Sequence, residues 1–156
     1  MRITIVAVGK LKERFWSDAC AEYLKRLKPY ARVEVKEIPD SDPASNGGIE
    51  GSKDKEARKI LAAIPDESHV ILLAIEGKQR SSEAFSRHID ELALRGSSDL
   101  CFVIGGSDGV APAVTRRADE TFSFGQITLP HNLARIVLLE QIYRAFKISR
   151  GEPYHK

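Results

Sequence analysis

The sequence predicts an α/β fold in which a mostly parallel β-sheet is covered by helices on both faces. Short apolar, β-branched runs recur along the chain, and segments with helical spacing of apolar residues lie between them. Right-handed crossovers between such units place the carboxyl ends of the strands on one edge of the sheet. Because ligands of open α/β sheets bind at that edge, a binding site is expected there.

The first elements follow from local patterns. Arg2–Val8 is nearly all apolar, which predicts a strand buried on both faces and ended by Gly9. Residues 13–28 have helical spacing and stop at Pro29. Ala31–Ile38 alternates apolar and charged residues, which predicts a half-exposed edge strand.

The middle of the chain is predicted to begin with a long loop over Pro39–Gly51, since this segment is rich in Pro, Gly, Ser and Asp. Ser52 is a candidate N-cap for a helix over Lys53–Ile64. His69–Ile75 reads as a buried strand, after which residues 76–78 turn away from the sheet.

Residues 81–124 continue the alternation of predicted helices and strands. Ser81 is a candidate cap for the helix Ser82–Arg95, and Leu100–Ile104 is a further buried strand. A short helix is expected near Pro112, followed by a strand over Thr121–Phe124.

The last helix is predicted over Leu133–Ile148, with Asn132 as its candidate cap. Four consecutive apolar residues, Ile136–Leu139, cover its whole circumference. A helix of this kind is buried on more than one side, and a second subunit is a candidate for the additional cover.

Composition predicts one globular domain over residues 1–156, with 42% hydrophobic and 29% charged residues. Cys20 and Cys101 lie in apolar surroundings and are expected to be buried, reduced thiols. The chain shows no signal-peptide pattern and no apolar run of membrane-spanning length, so a cytoplasmic location without a membrane partner is expected. The four histidines lack ligand spacing, so no metal is expected.

The net charge of +2 is unevenly distributed, with basic ends and an acidic middle. A nucleic acid would therefore meet the two ends of the chain. Charge alone is equally compatible with ordinary solvated surfaces.

Two glycine-containing segments near the carboxyl edge are the candidate site. Gly105–Gly109 follows a buried strand, but it lacks both the Lys-Ser/Thr of a P-loop and the spacing of a dinucleotide fingerprint. Gly125–Pro130 is an apolar loop of the kind that presents backbone groups to an adenine edge, with Ile127 and Leu129 against its faces.

Several segments together resemble one family, the small bacterial SPOUT-class methyltransferases that methylate N3 of a pseudouridine in large-subunit ribosomal RNA. The similarity spans the whole chain and both termini. The matching segments are Ile3–Leu11 (ITIVAVGKL), Phe102–Gly109 (FVIGGSDG), Thr128–Leu133 (TLPHNL), Glu140–Ala145 (EQIYRA) and Pro153–Lys156 (PYHK).

The resemblance implies a C-terminal trefoil knot, a homodimer, and S-adenosylmethionine as cofactor, none of which the residue patterns predict by themselves. Its RNA partner would lie in the large subunit or the assembled ribosome. The cofactor-binding residues that it implies are Leu73, Gly105, Gly106, Gly125, Gln126, Ile127, Thr128, Leu129 and Pro130.

Methyl transfer to N3 also requires that N3 lose its proton, which calls for a base with a near-neutral pKa. We expect His155 in the basic tail to be this catalytic group, and Tyr154 to stack on or hydrogen-bond the nucleotide. Arg144 and Lys156 are expected to bind phosphate, and Arg135 and Lys147 are weaker candidates for the same role. His131, beside the cofactor loop, is interpreted as a structural residue at the start of a helix. These candidates come from the same sequence.

Two other functions remain open from the sequence. One is a SPOUT-type enzyme that modifies another nucleotide or a ribose oxygen. The other is a non-catalytic ribosome-binding factor, which binding of S-adenosylmethionine would exclude. A Rossmann-like nucleotide enzyme is disfavoured because the fingerprints are missing.

Overall fold

The computed structural model describes residues 1–154, which form a five-stranded, all-parallel sheet in the order β2-β1-β4-β3-β5. The α/β prediction is confirmed, and β2 is an edge strand as expected. The strands are β1 (Arg2–Val8), β2 (Arg32–Ile38), β3 (His69–Gln79), β4 (Asp99–Ile104) and β5 (Glu120–Ser123). The helices are α1 (Arg14–Leu27), α2 (Gly48–Ala63), α3 (Ser82–Leu94), α4 (Pro112–Arg117) and α5 (His131–Ser149).

Helices cover both faces of the sheet. On one face α5 packs between α1 and α3, and Leu138, Leu139 and Ile142 bury its inner side against β1 and β4. On the other face α2 and α4 pack together, with Ile60 and Val114 in a second apolar cluster. The central strands are therefore buried on both sides, which explains their continuous apolar sequence.

The path into α5 crosses the carboxyl edge of the sheet. β5 pairs with β3 at the edge, whereas α5 packs on the central strands β1 and β4. Residues 124–130 join these two positions. This path is compatible with a trefoil knot, which stays a prediction.

The predicted loop over Pro39–Gly51 is wrong in part, because α2 begins at Gly48 and a 3₁₀ turn precedes it at Pro43–Ser45. The cap of α2 is Gly47, whose φ of 76° is left-handed and suits glycine. Ser52 is therefore not a cap; it lies inside the helix, is buried, and its hydroxyl donates to the carbonyl of Ser41.

The predicted turn at residues 76–78 is also wrong, because β3 continues to Gln79. The pairing with β5 shifts register instead, since both Leu73 and Lys78 lie opposite Phe122. A Cβ at Gly77 would lie 2.8 Å from the Phe122 backbone, so the close approach of the two strands requires glycine there. The register shift between Leu73 and Lys78 is a β-bulge, and the pair of Leu73 with Phe122 is the last regular one before it.

Of the predicted caps of α3 and α5, the structure confirms one and contradicts the other. Ser81 caps α3 as predicted, with its hydroxyl accepting a hydrogen bond from the Ala84 N–H at 3.2 Å. The prediction of Asn132 as the cap of α5 is wrong, because the helix begins at His131 and Pro130 occupies the cap position. Proline's restricted φ suits this entry into a helix.

Both cysteines are free and buried, as expected. Burial raises the pKa of Cys101 to about 11, so this thiol stays protonated at neutral pH. Within residues 1–154, no helix is both long enough and apolar enough to cross a membrane.

Glu120 organises a partly buried ionic cluster where β5 meets β3 and α3. Its Oε1 lies 2.9 Å from His69 Nε2 and 2.6 Å from His88 Nε2, and its Oε2 accepts a hydrogen bond from Arg80 at 2.8 Å. Burial opposes ionisation of Glu120, but the two histidines and Arg80 outweigh it and hold the pKa of this carboxyl below its usual value.

Replacing this carboxylate tests the cluster. We expect Glu120→Gln to lower the free energy of unfolding at pH 7 by about 1–3 kcal/mol, because hydrogen bonds to a charged acceptor are lost. Since the pKa of Glu120 is lower in the folded state, its contribution is complete above the unfolded pKa and is lost as pH falls through the folded pKa. Urea unfolding of wild type and variant at several pH values measures the difference.

The matched control is Glu91→Gln on the exposed surface of α3, which we expect to change stability little. A difference between wild type and Glu120→Gln that stayed constant down to strongly acidic pH would contradict the electrostatic explanation.

Candidate active site

A cavity of about 840 Å³ opens at the carboxyl edge of the sheet, where the predicted ligand site lies. Its walls are the end of β3, the turn after β4, the 124–130 loop and the first turn of α5. The strands and loops that meet here are distant in sequence, so only the folded sheet produces the cavity.

The turn after β4 forms one wall from bare backbone. Gly109 N–H donates to the Gly106 carbonyl at 3.1 Å, and Gly109 has a φ of 80° that favours glycine. A Cβ at Gly105 would lie 2.6 Å from Val110 Cγ1, and one at Gly106 would lie 3.3 Å from Val8 Cγ1. The turn is therefore tight, and it leaves backbone groups facing the cavity without side chains to block them.

The 124–130 loop forms the opposite wall. Ser123 anchors it, because its hydroxyl donates to the Ile75 carbonyl at 2.8 Å and accepts from the Gly125 N–H at 3.0 Å. Ile127 is 76% exposed, which is unusual for so large an apolar side chain. An apolar wall facing a backbone wall suits a flat, partly polar ligand such as a nucleoside.

Comparison with known families identifies the family to which the chain belongs. A family model described as predicted SPOUT methyltransferase matches residues 1–155. The chain belongs to the SPOUT methyltransferase family. The resemblance read from the sequence is therefore confirmed.

Curated members of the SPOUT family match the whole chain. A protein of Listeria monocytogenes serotype 4b (strain CLIP80459) is 55% identical over 159 aligned residues, covering 100% of both chains, and one of Bacillus cytotoxicus is 54% identical over the same extent. Both are named ribosomal RNA large subunit methyltransferase H.

Among solved structures, a probable methylase family protein from Haemophilus influenzae Rd KW20 superposes with a TM-score of 0.53 at 12% identity. That superposition covers 99% of this chain and 70% of the other and supports the fold alone.

Most of the predicted cofactor residues of this SPOUT domain line the cavity, whereas Gln126 is exposed and is not part of the lining. The predicted residues that line the cavity are Leu73, Gly105, Gly106, Gly125, Ile127, Thr128, Leu129 and Pro130. The role of these eight residues in binding a cofactor stays a prediction.

The predicted substrate residues form a separate cluster on α5. The Arg144 guanidinium lies 4.6 Å from the centre of the Tyr154 ring and 2.6 Å from Glu140 Oε1, which also accepts from the Tyr154 hydroxyl at 3.2 Å. Burial, reinforced by the Glu140 carboxylate, raises the pKa of Tyr154 to about 12. Neither Arg144 nor Tyr154 lines the cavity of its own subunit. The predicted residues His155 and Lys156 lie outside the described part of the chain.

Arg135 is not available to bind phosphate, so that weaker expectation is wrong. Its side chain is 2% exposed and donates to the Gly9 carbonyl at 2.8 Å and to Glu37 at 3.2 Å. It therefore ties α5 to the ends of β1 and β2. Lys147 is held in an ion pair with Glu152 at 2.5 Å.

Among the residues that sequence reasoning missed beside the cavity is a buried carboxylate, Glu56 on α2. It is only 8% exposed and lines a smaller cavity of about 270 Å³ that adjoins the first. The sequence does indicate that Glu56 points inward, because it lies four residues before Ile60 and therefore shares the inward face of the helix. A carboxylate on the buried face of an amphipathic helix requires a partner.

The structure also bears on metal binding. In the described ranges, no group of three or more His, Cys, Asp or Glu side chains is arranged to hold a metal ion. The expectation of metal-free chemistry stays a prediction.

Proposed function

We propose that this SPOUT methyltransferase uses S-adenosylmethionine to methylate N3 of a pseudouridine in the 23S ribosomal RNA of the large ribosomal subunit. One observation supports it above the others. A chain that matches large-subunit ribosomal RNA methyltransferases end to end at 55% identity carries a cavity of about 840 Å³, large enough for a nucleoside, at its carboxyl edge. Such a substrate also places the protein's action in the cytoplasm, where ribosomes are assembled.

The residues around the cavity fit this cofactor. Backbone groups of the Gly105-Gly106 turn and of the 124–130 loop would hydrogen-bond its polar edges, and Leu73, Ile127 and Leu129 would pack against the adenine. When bound, S-adenosylmethionine supplies an electrophilic methyl group on a sulfonium. The deep apolar walls would exclude water from that group.

The acceptor imposes the remaining chemistry. N3 forms a bond to the methyl carbon as the carbon–sulfur bond breaks, and the N3 proton passes to a base. We assign that base to His155, with Tyr154 against the nucleotide and Arg144 and Lys156 at phosphates. Positioning of donor and acceptor would supply most of the rate enhancement.

A homodimer would bring these parts together. Arg144 and Tyr154 lie away from the cavity of their own subunit, and none of the residues His131–Ile148 of α5 is exposed. Pairing through the outer side of α5 would complete its burial and carry the tail of one subunit to the cavity of its partner. Sedimentation equilibrium tests this, because a monomer at micromolar concentration would contradict the shared site.

Two measurements test the function itself. Mass spectrometry of ribosomal RNA from a strain lacking this protein is expected to show one pseudouridine without its methyl group, restored by the gene in trans. Calorimetry is expected to detect binding of S-adenosylmethionine by the purified protein. An unchanged modification pattern would contradict the RNA target, and absence of cofactor binding would favour a non-catalytic ribosome-binding factor.

A further inference from the structure

The smaller cavity adjoins the cofactor cavity and differs from it in chemistry. The two share Ser107 and His131 in their walls, so a molecule in one lies beside a molecule in the other. The larger cavity has mainly apolar walls, whereas the smaller, of about 270 Å³, is lined mostly by polar and charged residues of α2 and of the segment before it.

Glu56 presents one unused acceptor to this cavity. Its Oε1 accepts a hydrogen bond from the Ser41 N–H at 2.9 Å. Its Oε2 lies 3.3 Å from the position that a Cβ on Gly106 would occupy, and within residues 1–154 no donor reaches it. Glu56 as a residue is only 8% exposed, but its Oε2 is not enclosed, so this oxygen is open to the cavity and can accept a hydrogen bond from a ligand there.

A donor lines the same cavity as this acceptor. Lys53 is in the cavity wall and carries an ammonium group with three N–H donors. The Ser41 hydroxyl also has no hydrogen-bond partner in the described part of the chain, but it is enclosed and is not open to the cavity. An acceptor beside a donor matches the adjacent N–H and C=O groups on the edge of a pyrimidine ring.

We propose that the smaller cavity receives the acceptor pseudouridine and that Glu56 accepts a hydrogen bond from its N1–H, with the Lys53 ammonium donating to O2. The inference rests on the proposed function. In uridine N1 is bonded to the ribose, whereas in pseudouridine the ribose is attached through C5 and N1 carries a proton. Glu56 thus selects pseudouridine over uridine, and N3, on the other side of O2, is left facing the cofactor cavity.

The test compares two substrates with two proteins. Large subunits from cells lacking this methyltransferase carry the target pseudouridine, and subunits from cells that also lack the corresponding pseudouridine synthase carry uridine instead. In Glu56→Gln, the amide carbonyl keeps the contact with Ser41 N–H, but the amide N–H₂ meets N1–H donor to donor. We expect kcat/KM on pseudouridine to fall about 10- to 100-fold while kcat/KM on uridine stays unchanged.

The controls separate binding of the base from support of the loop. Affinity for S-adenosylmethionine and the melting temperature are expected to be the same in wild type and Glu56→Gln, and the exposed Asp54→Asn on the same helix is expected to keep the wild-type preference. An equal loss on both substrates, an unchanged preference, or a wild type without preference overturns the role of Glu56. A wild type that methylates neither substrate overturns the proposed function itself, and this inference with it.

A second arm needs no variant and stands even if Glu56→Gln does not fold. Reconstituted large subunits whose target is N1-methylpseudouridine present no N1–H. The wild-type enzyme is expected to methylate them as poorly as subunits that carry uridine. Methylation at the rate found for pseudouridine would overturn the proposal.

Discussion

Gly106→Val is expected to lower the affinity for S-adenosylmethionine about 100-fold while the fold persists. A Cβ at this position already lies 3.3 Å from Val8 Cγ1 and from Glu56 Oε2, and the two methyl groups of valine require still more space. The turn itself must then shift, and this turn is a wall of the larger cavity, the proposed cofactor site. Since overpacking of this kind costs about 1–3 kcal/mol, we expect affinity to fall about 100-fold by calorimetry.

Gly106→Ala provides the graded comparison, because it adds the Cβ without the branched methyl groups. We expect the loss of affinity for S-adenosylmethionine in Gly106→Ala to be several times smaller than the loss in Gly106→Val. Circular dichroism and thermal melting of both variants check that the sheet is intact. Wild-type affinity in a folded Gly106→Val protein would remove the turn from the cofactor site.

Deletion of Tyr154–Lys156 is expected to stop methylation and leave cofactor binding intact. The deletion removes the proposed base His155 together with the proposed nucleotide contact Tyr154, and loss of a general base alone lowers rates about 10²–10⁴-fold. Tyr154 packs on Tyr143, with ring centres 4.9 Å apart, and does not line the cavity of its own subunit. Single-turnover methylation of ribosomal subunits and calorimetry with the cofactor measure the two effects separately.

Two smaller changes separate the roles within the tail. His155→Ala is expected to lower the rate at saturating substrate, whereas removal of Lys156 alone is expected to weaken RNA affinity and its dependence on salt. Full activity after the three-residue deletion would refute the assignment of the tail. Loss of cofactor binding would instead indicate that the tail supports the cavity.

Local sequence patterns were sufficient for the elements whose signals are short-range. Alternation of apolar and charged residues predicted an edge strand over Ala31–Ile38, which the structure has as Arg32–Ile38, and the hydroxyl of Ser81 identified the start of α3. These predictions hold because side-chain periodicity and capping depend on residues within a few positions of each other. The resemblance of several segments to the SPOUT family added the family, which periodicity could not supply.

The boundaries that were wrong depend on contacts between distant residues. The start of α2 depends on the left-handed conformation of Gly47 and on the hydrogen bonds that join Ser41 to Glu56 and Ser52 of the helix. Because composition does not show these contacts, it predicts a loop there. The extension of β3 depends on the fit of Gly77 against Phe122, which is 45 positions away. Backbone pairing of this kind leaves little signal in the local sequence.

The sequence by itself determined the alternation of strands and helices, the carboxyl-edge location of the candidate site, and the family, because each follows from local periodicity, from the handedness of crossovers or from matching segments. Only the tertiary structure decided that Arg135 is a buried tie and not a phosphate contact, and that Glu56 and Lys53 line a second, polar cavity beside the first. The reason is physical. Whether a charged side chain is solvated, paired or left with an open hydrogen-bonding position depends on which distant segments pack around it, and the linear sequence does not state that packing.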